Sequence, residues 1–258
     1  MRLLVTNDDG IGSVFLHELV RALLAAGHEV FVVAPKLEQS WTGASKSRHR
    51  PVHSARQDAG LGCPTWVVDG TPCDSVNIGI GHLLPVRPDA VLSGINIGQN
   101  AGLEFIMGSG TVAGASEGAL HGLPGIAFSQ SIPIAAYDDL KEKGGKPDEG
   151  LLSVLRASAA QAALLAPALA AQTPERSFIV HNLNFPHACS AATQVRRAVP
   201  ARIRAHSLFS PRAEDGTHHF VYRLGEDISP GGSLTDRAAL DAGFISHSVL
   251  DFSKLGSI

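Results

Sequence analysis

The chain has 258 residues, 44% of them hydrophobic and 5% aromatic, which suits one large core with at most one appendage. Lysine and arginine number 21 against 24 acidic residues, a formal charge of −3 with no long block of one sign, and this argues against a nucleic-acid duplex footprint or a membrane-surface helix. Cys63, Cys73 and Cys189 are widely separated with no Cys-x-x-Cys pair. That spacing argues against a disulfide framework and a structural zinc site and leads us to expect a reducing, cytoplasmic setting.

The first element is an aliphatic run from Arg2 that reads as a parallel strand covered on both faces, and it ends in Asn7-Asp8-Asp9-Gly10. The start therefore shows no pattern of a secretory leader. Phe15, Leu16, Leu19, Val20 and Leu23 then share one helical stripe closed by Gly27, and Glu29 to Ala34 is a second buried strand closed by Pro35. Residues 2 to 34 thus form a β-α-β unit, the opening of a doubly wound sheet. Further strands are expected at Trp66–Val68, Ala90–Ser93, Gly125–Phe128 and Phe178–Val180, with a helix over Thr111–His121. Tyr137 to Gly150 reads as a polar connection, and the Ala/Leu-rich stretch from Leu151 to Ala171 as a helix broken or kinked near Pro167. No uninterrupted apolar run reaches the roughly 18 residues of a membrane span. The core is expected to end near residue 190. From 191 to 258 the pattern changes to an extended hairpin arm including His219-Phe220-Val221-Tyr222-Arg223, a short helix near Leu234–Ala242 and a strand over Phe244–Leu250. The expected class is α/β, a Rossmann-like three-layer fold with a mostly parallel sheet and a C-terminal hairpin and helix extension.

The acidic pair sits at the carboxyl end of its strand, where open α/β sheets bind ligands. Two adjacent carboxylates repel, so keeping both ionised needs a cation, donors or water. Taken alone, Asn-Asp-Asp-Gly reads equally well as an Asp-rich turn. Its partners shift that balance, because Ser40 follows the second strand and Asn96 lies in Ser93-Gly94-Ile95-Asn96, so the ends of three strands supply oxygen donors. Carboxylate, hydroxyl and amide oxygens without a thiolate suit a hard cation such as Mg²⁺ or Mn²⁺. A second constellation, Met107-Gly108-Ser109-Gly110-Thr111-Val112-Ala113-Gly114-Ala115, is a Gly-rich turn running into a small-residue helix. Its backbone N–H groups and helix N-terminus suit a phosphate, and the Ser109 and Thr111 hydroxyls add donors. Gly108, Gly110 and Ala113 also match the dinucleotide fingerprint, but no strand directly precedes them and no acid follows at the required distance. Gly-Lys-Ser/Thr is missing, which sets aside a Walker loop, and no Gly-x-Ser-x-Gly stands at a strand-to-helix elbow, which weakens a hydrolase reading.

Together these segments resemble the SurE family, the survival-protein nucleotidases. The resemblance rests on Val5-Thr6-Asn7-Asp8-Asp9-Gly10-Ile11, on Val32-Val33-Ala34-Pro35 with Glu38-Gln39-Ser40, and on Gly70-Thr71-Pro72-Cys73-Asp74. It continues through Ser93–Asn96 with Gly98 and Asn100, Ser109–Ala115 with Glu117-Gly118-Ala119, Asn182–Pro186, Thr235-Asp236 and Gly243–Ser246. Departures are Gly12-Ser13-Val14 after the acidic turn, Trp41–Arg48 after Ser40, and Ser246–Leu250 at the end. The resemblance implies that Asp8, Asp9, Ser40 and Asn96 hold one divalent cation and that Ser109, Gly110 and Thr111 line a phosphate pocket. It implies hydrolysis of nucleoside 5′- or 3′-monophosphates, with short polyphosphate as a further substrate, by a homodimer or homotetramer exchanging C-terminal segments. In the mechanism expected from it, Asp8 and Asp9 are catalytic and Asn100 joins the Gly110 turn in steadying phosphoryl charge. Two other readings stand beside it: a nucleotide- or anion-binding protein whose catalysis has decayed, and a cofactor-dependent Rossmann enzyme using Gly108 and Gly110.

Overall fold

A computed structural model describes residues 1–221, 223 and 225–256. The strands are β1 (Arg2–Thr6), β2 (Glu29–Pro35), β3 (Ser54–Arg56), β4 (Thr65–Val68), β5 (Ala90–Ile97), β6 (Gly125–Gln130), β7 (Ile179–Phe185), β8 (Val195–Arg197), β9 (Ile203–Arg204), β10 (Glu226–Asp227) and β11 (Ile245–Asp251). The helices are α1 (Val14–Ala25), α2 (Pro72–Ile78), α3 (Leu103–Gly108), α4 (Gly110–Leu120), α5 (Ile134–Glu142), α6 (Glu149–Gln172) and α7 (Asp236–Asp241). Nine strands form one sheet in the order β3-β4-β2-β1-β5-β6-β7-β11-β8. From β4 to β7 neighbours run parallel, while β3 is antiparallel to β4 and β11 antiparallel to β7. The chain winds outward from β1 in both directions, so the strand order reverses between β1 and β5. The acidic turn therefore leaves the sheet at its topological switch point.

Burial on both faces explains the continuous apolar runs. Leu3 and Val5 join a cluster with α1 and α6, and Leu4 joins a separate cluster with Val33, Val68 and Val76 on the opposite face. On this second face α4 lies against the sheet with almost no side-chain spacer. A Cβ at Gly118 would fall 2.5 Å from the Val91 Cβ, and one at Gly114 would fall 2.9 Å from the Ser93 Oγ.

Several boundaries differ from expectation. Tyr137–Gly150 is not wholly a connection, because its first part lies in α5, whose Leu140 inserts into the α1 and α6 cluster. The Leu151–Ala171 helix is not broken at Pro167, since α6 continues to Gln172. Proline cannot donate to the Ala163 carbonyl four residues back, so the helix passes this point one backbone bond short. By length and mean hydropathy α6 would suffice to cross a membrane, but Leu155, Ala159, Ala162, Ala166 and Leu169 pack it into the core. Strand β5 continues past Ser93 to Ile97, with its register to β6 shifting between Ser93 and Asn96. Gly94, at φ 130°, occupies that irregularity; a Cβ there would lie 2.2 Å from the Phe128 carbonyl oxygen. The strand expected at Phe178–Val180 starts at Ile179 and extends to Phe185.

In the C-terminal part, β11 returns to the main sheet between β7 and β8. The hairpin arm pairs more sparsely than an alternating strand would, through β9 with β10 and a single Phe209–Phe220 bridge. Tyr222 of the expected alternating stretch lies outside the described residues.

A buried polar chain links the last strands to α6. Thr173 donates its hydroxyl to the Leu169 carbonyl at 2.8 Å, so its oxygen can only accept from His181 Nε2, at 2.9 Å. His181 Nδ1 is then an acceptor for His247 Nε2–H, also at 2.9 Å. Both imidazoles are neutral in this arrangement, and burial, reinforced by Arg197, pulls each down to about 4.

Candidate functional site

Asp8 and Asp9 stand at the junction of four chain segments. The Asn7 side chain donates to the Gly10 carbonyl at 2.9 Å, which closes the turn after β1, and Gly10 takes φ 89° where a Cβ would meet the Leu37 carbonyl carbon at 3.1 Å. The Asp8 carbonyl accepts the Gln39 N–H at 2.7 Å, joining this turn to the loop after β2. Its carboxylate accepts the hydroxyl of Thr111 in the first turn of α4, so it sits at the N-terminus of that helix. Asp9 Oδ2 accepts the Ile97 N–H at 3.1 Å and so ties the turn to the end of β5. No side chain at position 110 would fit, since a Cβ would lie 2.7 Å from the Asp8 Cβ.

Asp8 is 3% exposed. Burial raises its carboxyl to about 6, although the Thr111 bonds oppose the shift. Asp9 is pushed well above the usual carboxylate range by burial and by repulsion from Asp8, and Glu38 adds to both. No lysine, arginine or histidine forms an ion pair with either acid among the described residues. A buried acid beside a half-buried one, with no such partner, fits a divalent cation, and the oxygens around them are of the hard type.

The remaining predicted residues divide. Asn96 is 9% exposed and donates its Nδ2 to the Ile97 and Gly98 carbonyls, leaving Oδ1 as the acceptor. Ser40 is exposed one residue beyond the Gln39 tie and donates to the Glu38 carboxylate at 2.8 Å. The Ser109 hydroxyl accepts the Val112 N–H at 3.0 Å as the N-cap of α4. Thr111 is fully buried with its donor on Asp8, so the anion at this helix terminus is the protein's own carboxylate. Asn100 lies in an internal network: its N–H reaches Asn184 Oδ1 at 2.7 Å, its Nδ2 reaches Ser129 Oγ at 2.8 Å, and its carbonyl accepts from Asn182. These bonds fix the loop after β5.

Comparison with known proteins places this arrangement. The sequence model described as survival protein SurE matches residues 3–207. The chain is 32% identical to the 5′-nucleotidase SurE of Pelotomaculum thermopropionicum across 98% of its length and 90% of that protein's. The chain belongs to the SurE family. Against the 5′-nucleotidase SurE of a Synechococcus species the identity is 36%, over 90% of this chain and 83% of the other. A 46% identical alignment with the Synechococcus elongatus 5′-nucleotidase SurE spans only half of each chain. The crystal structure of the SurE protein from Aquifex aeolicus superposes with a TM-score of 0.74 at 26% identity, covering 100% of this chain and 98% of that one. For a SurE chain read only from its sequence, Glu38 was the missed residue. Its signal was an acid two positions before Ser40, and its charge reaches both Asp8 and Asp9.

Proposed function

We propose that this protein is a divalent-metal-dependent phosphomonoesterase that hydrolyses nucleoside 5′-monophosphates to nucleoside and phosphate, with 3′-monophosphates and short polyphosphate as further substrates. The observation that carries the reading is the adjacent pair of a buried and a half-buried carboxylate, without a counter-ion among the described residues, set against the N-terminus of α4 in a chain related along nearly its whole length to proteins named 5′-nucleotidase. Asp8, Asp9, Ser40 and Asn96 would hold one Mg²⁺ or Mn²⁺ ion. When bound, such a cation supplies Lewis-acid polarisation of the phosphoryl group and lowers the pKa of water from about 15.7 toward about 7. Asp9 would accept the proton of the attacking water as its oxygen bonds to phosphorus. The bond from phosphorus to the nucleoside oxygen then breaks, and the proton held by Asp9 passes to that oxygen, so the nucleoside leaves neutral and the carboxylate is restored. Asp8, fixed by Thr111, orients the reacting group, and the Gly110 end of α4 with Ser109 faces the charge on the phosphoryl oxygens. Asn100 contributes through the loop it fixes.

Binding without hydrolysis is the less favoured reading, because the relatives carry an enzyme's name. Free Cys63, Cys73 and Cys189 support a cytoplasmic setting. Exposed Val199, Ile228 and Leu234 support homodimer or homotetramer assembly through residues 191–258, which light scattering would measure. The deciding experiment is phosphate release from nucleoside monophosphates, sugar phosphates and polyphosphate with Mg²⁺, Mn²⁺ or a chelator. Metal-independent release, or none from any nucleotide, would overturn the proposal.

A further inference from the structure

The segment from Gln39 to Ser47 begins at the acidic pair and is tied down along its length. Beyond the Gln39 bond to Asp8, the Gly43 N–H donates to the Gly108 carbonyl at 3.0 Å, and the Ser45 carbonyl accepts the Thr71 hydroxyl at 2.8 Å. Lys46 meets the buried Glu117 of α4 at 2.8 Å, and the Ser47 N–H meets Asp74 at 3.1 Å. Between these anchors Trp41 adopts φ 62°, a left-handed conformation that a bulky residue rarely takes and keeps only when its surroundings impose it.

This conformation does not bury the indole. Trp41 remains 41% exposed, tilted against Phe105 with ring centroids 5.7 Å apart and against Phe220 at 5.5 Å. Its ring lies over Gly108, where a Cβ would stand 3.0 Å from it. Gly108 leads directly into Ser109 and Gly110, the end of α4 that faces Asp8. A rigid, partly exposed aromatic face is thus held on one flank of the anion-facing turn by a strained backbone that core packing does not require.

We propose that Trp41 is a specificity-determining residue whose indole, backed by Phe105 and Phe220, stacks the base of a nucleoside monophosphate while its phosphate occupies the Asp8 and Gly110 site. The inference rests on the nucleotidase reading above. Stacking uses the flat face of the ring and no particular hydrogen-bond pattern, so it favours any base over none and larger bases over smaller ones.

The test compares kcat/KM for AMP with that for ribose 5-phosphate in the wild type, Trp41→Ala and Trp41→Phe, with Mg²⁺ and with Mn²⁺. The ratio of AMP to ribose 5-phosphate falls roughly tenfold in Trp41→Ala, carried mainly by KM, and recovers in Trp41→Phe. An unchanged ratio, or equal losses on both substrates, overturns the proposal. A second readout uses Trp66→Phe, which leaves Trp41 as the remaining tryptophan, since the chain has two. Saturable quenching of its emission by AMP and not by ribose 5-phosphate supports stacking, and absence of quenching by AMP overturns it. If the wild type hydrolyses neither ester, the nucleotidase reading fails, and the emission experiment alone decides the stacking.

Discussion

Acidification should destabilise this fold through the Thr173–His181–His247 chain, and the size of the effect follows from its geometry. Burial keeps both imidazoles neutral, lowering each from 6.5 to about 4, and His181, accepting at Nδ1 while it donates from Nε2, has no site left for a second proton in this chain. Between those values the unfolded chain binds protons that the folded one does not, so this stability is fully present above about pH 6.5 and is lost as the pH falls to about 4. At about 1.4 kcal/mol per pH unit, and allowing for residual solvent screening, each imidazole taken alone contributes about 2–3 kcal/mol, an upper bound for the coupled pair. Urea unfolding of the wild type and of a His181→Gln/His247→Gln variant from pH 7.5 to 4.5 isolates the effect. Asp8 and Asp9 act in the opposite direction in both proteins and cancel in the difference. The variant should start less stable, because its amides cannot reproduce the chain, but should lose less stability on acidification, so that the two curves converge by roughly 2 kcal/mol or more. Parallel curves over this range would refute the reasoning.

Asp9→Asn should abolish most phosphate release while raising the melting temperature of the metal-free protein, since it removes a buried charge repelled by Asp8; calorimetry beside an activity assay checks both. Asp8→Asn should lose turnover similarly, with native circular dichroism retained. Chelation by EDTA should stop hydrolysis, and added Mg²⁺ or Mn²⁺ should restore it. Gly118→Ala, a change that favours an isolated helix by about 1 kcal/mol, should instead destabilise the protein by about 1–3 kcal/mol, because its Cβ would lie 2.5 Å from that of Val91. Pairing it with Val91→Ala should recover part of that loss in urea melts.

The β1-α1-β2 opening was legible because both its strands are buried on two faces, which writes continuous apolar runs into the sequence. The acidic pair and the turn before α4 were legible for a related reason, as strand ends and glycine-rich turns announce themselves locally. Less visible was what those groups do to one another. Nothing local says that Thr111 directs its hydroxyl at Asp8, or that Asn100 bonds to Asn182, Asn184 and Ser129. Each depends on a partner far along the chain. The same holds for α6, where Pro167 signals a break that core packing of Ala163, Ala166 and Leu169 overrides, and for α5, whose few apolar residues acquire meaning only once Leu140 meets α1 and α6.

The junction at Asp8 and Asp9 also sets when the site can exist during folding. Asp8 and Thr111 are separated by 103 positions, and Asp9 and Ile97 by 88. None of these bonds can form until β5 has paired with β1 and α4 has docked, so the donor set is complete only once those long-range contacts are made. A cation bound there would have no counterpart site in partly folded forms, and its whole binding free energy would favour the finished protein. Metal occupancy would then act as a checkpoint that reads completion of the central sheet, and trapped intermediates would reveal themselves by their inability to hold the ion.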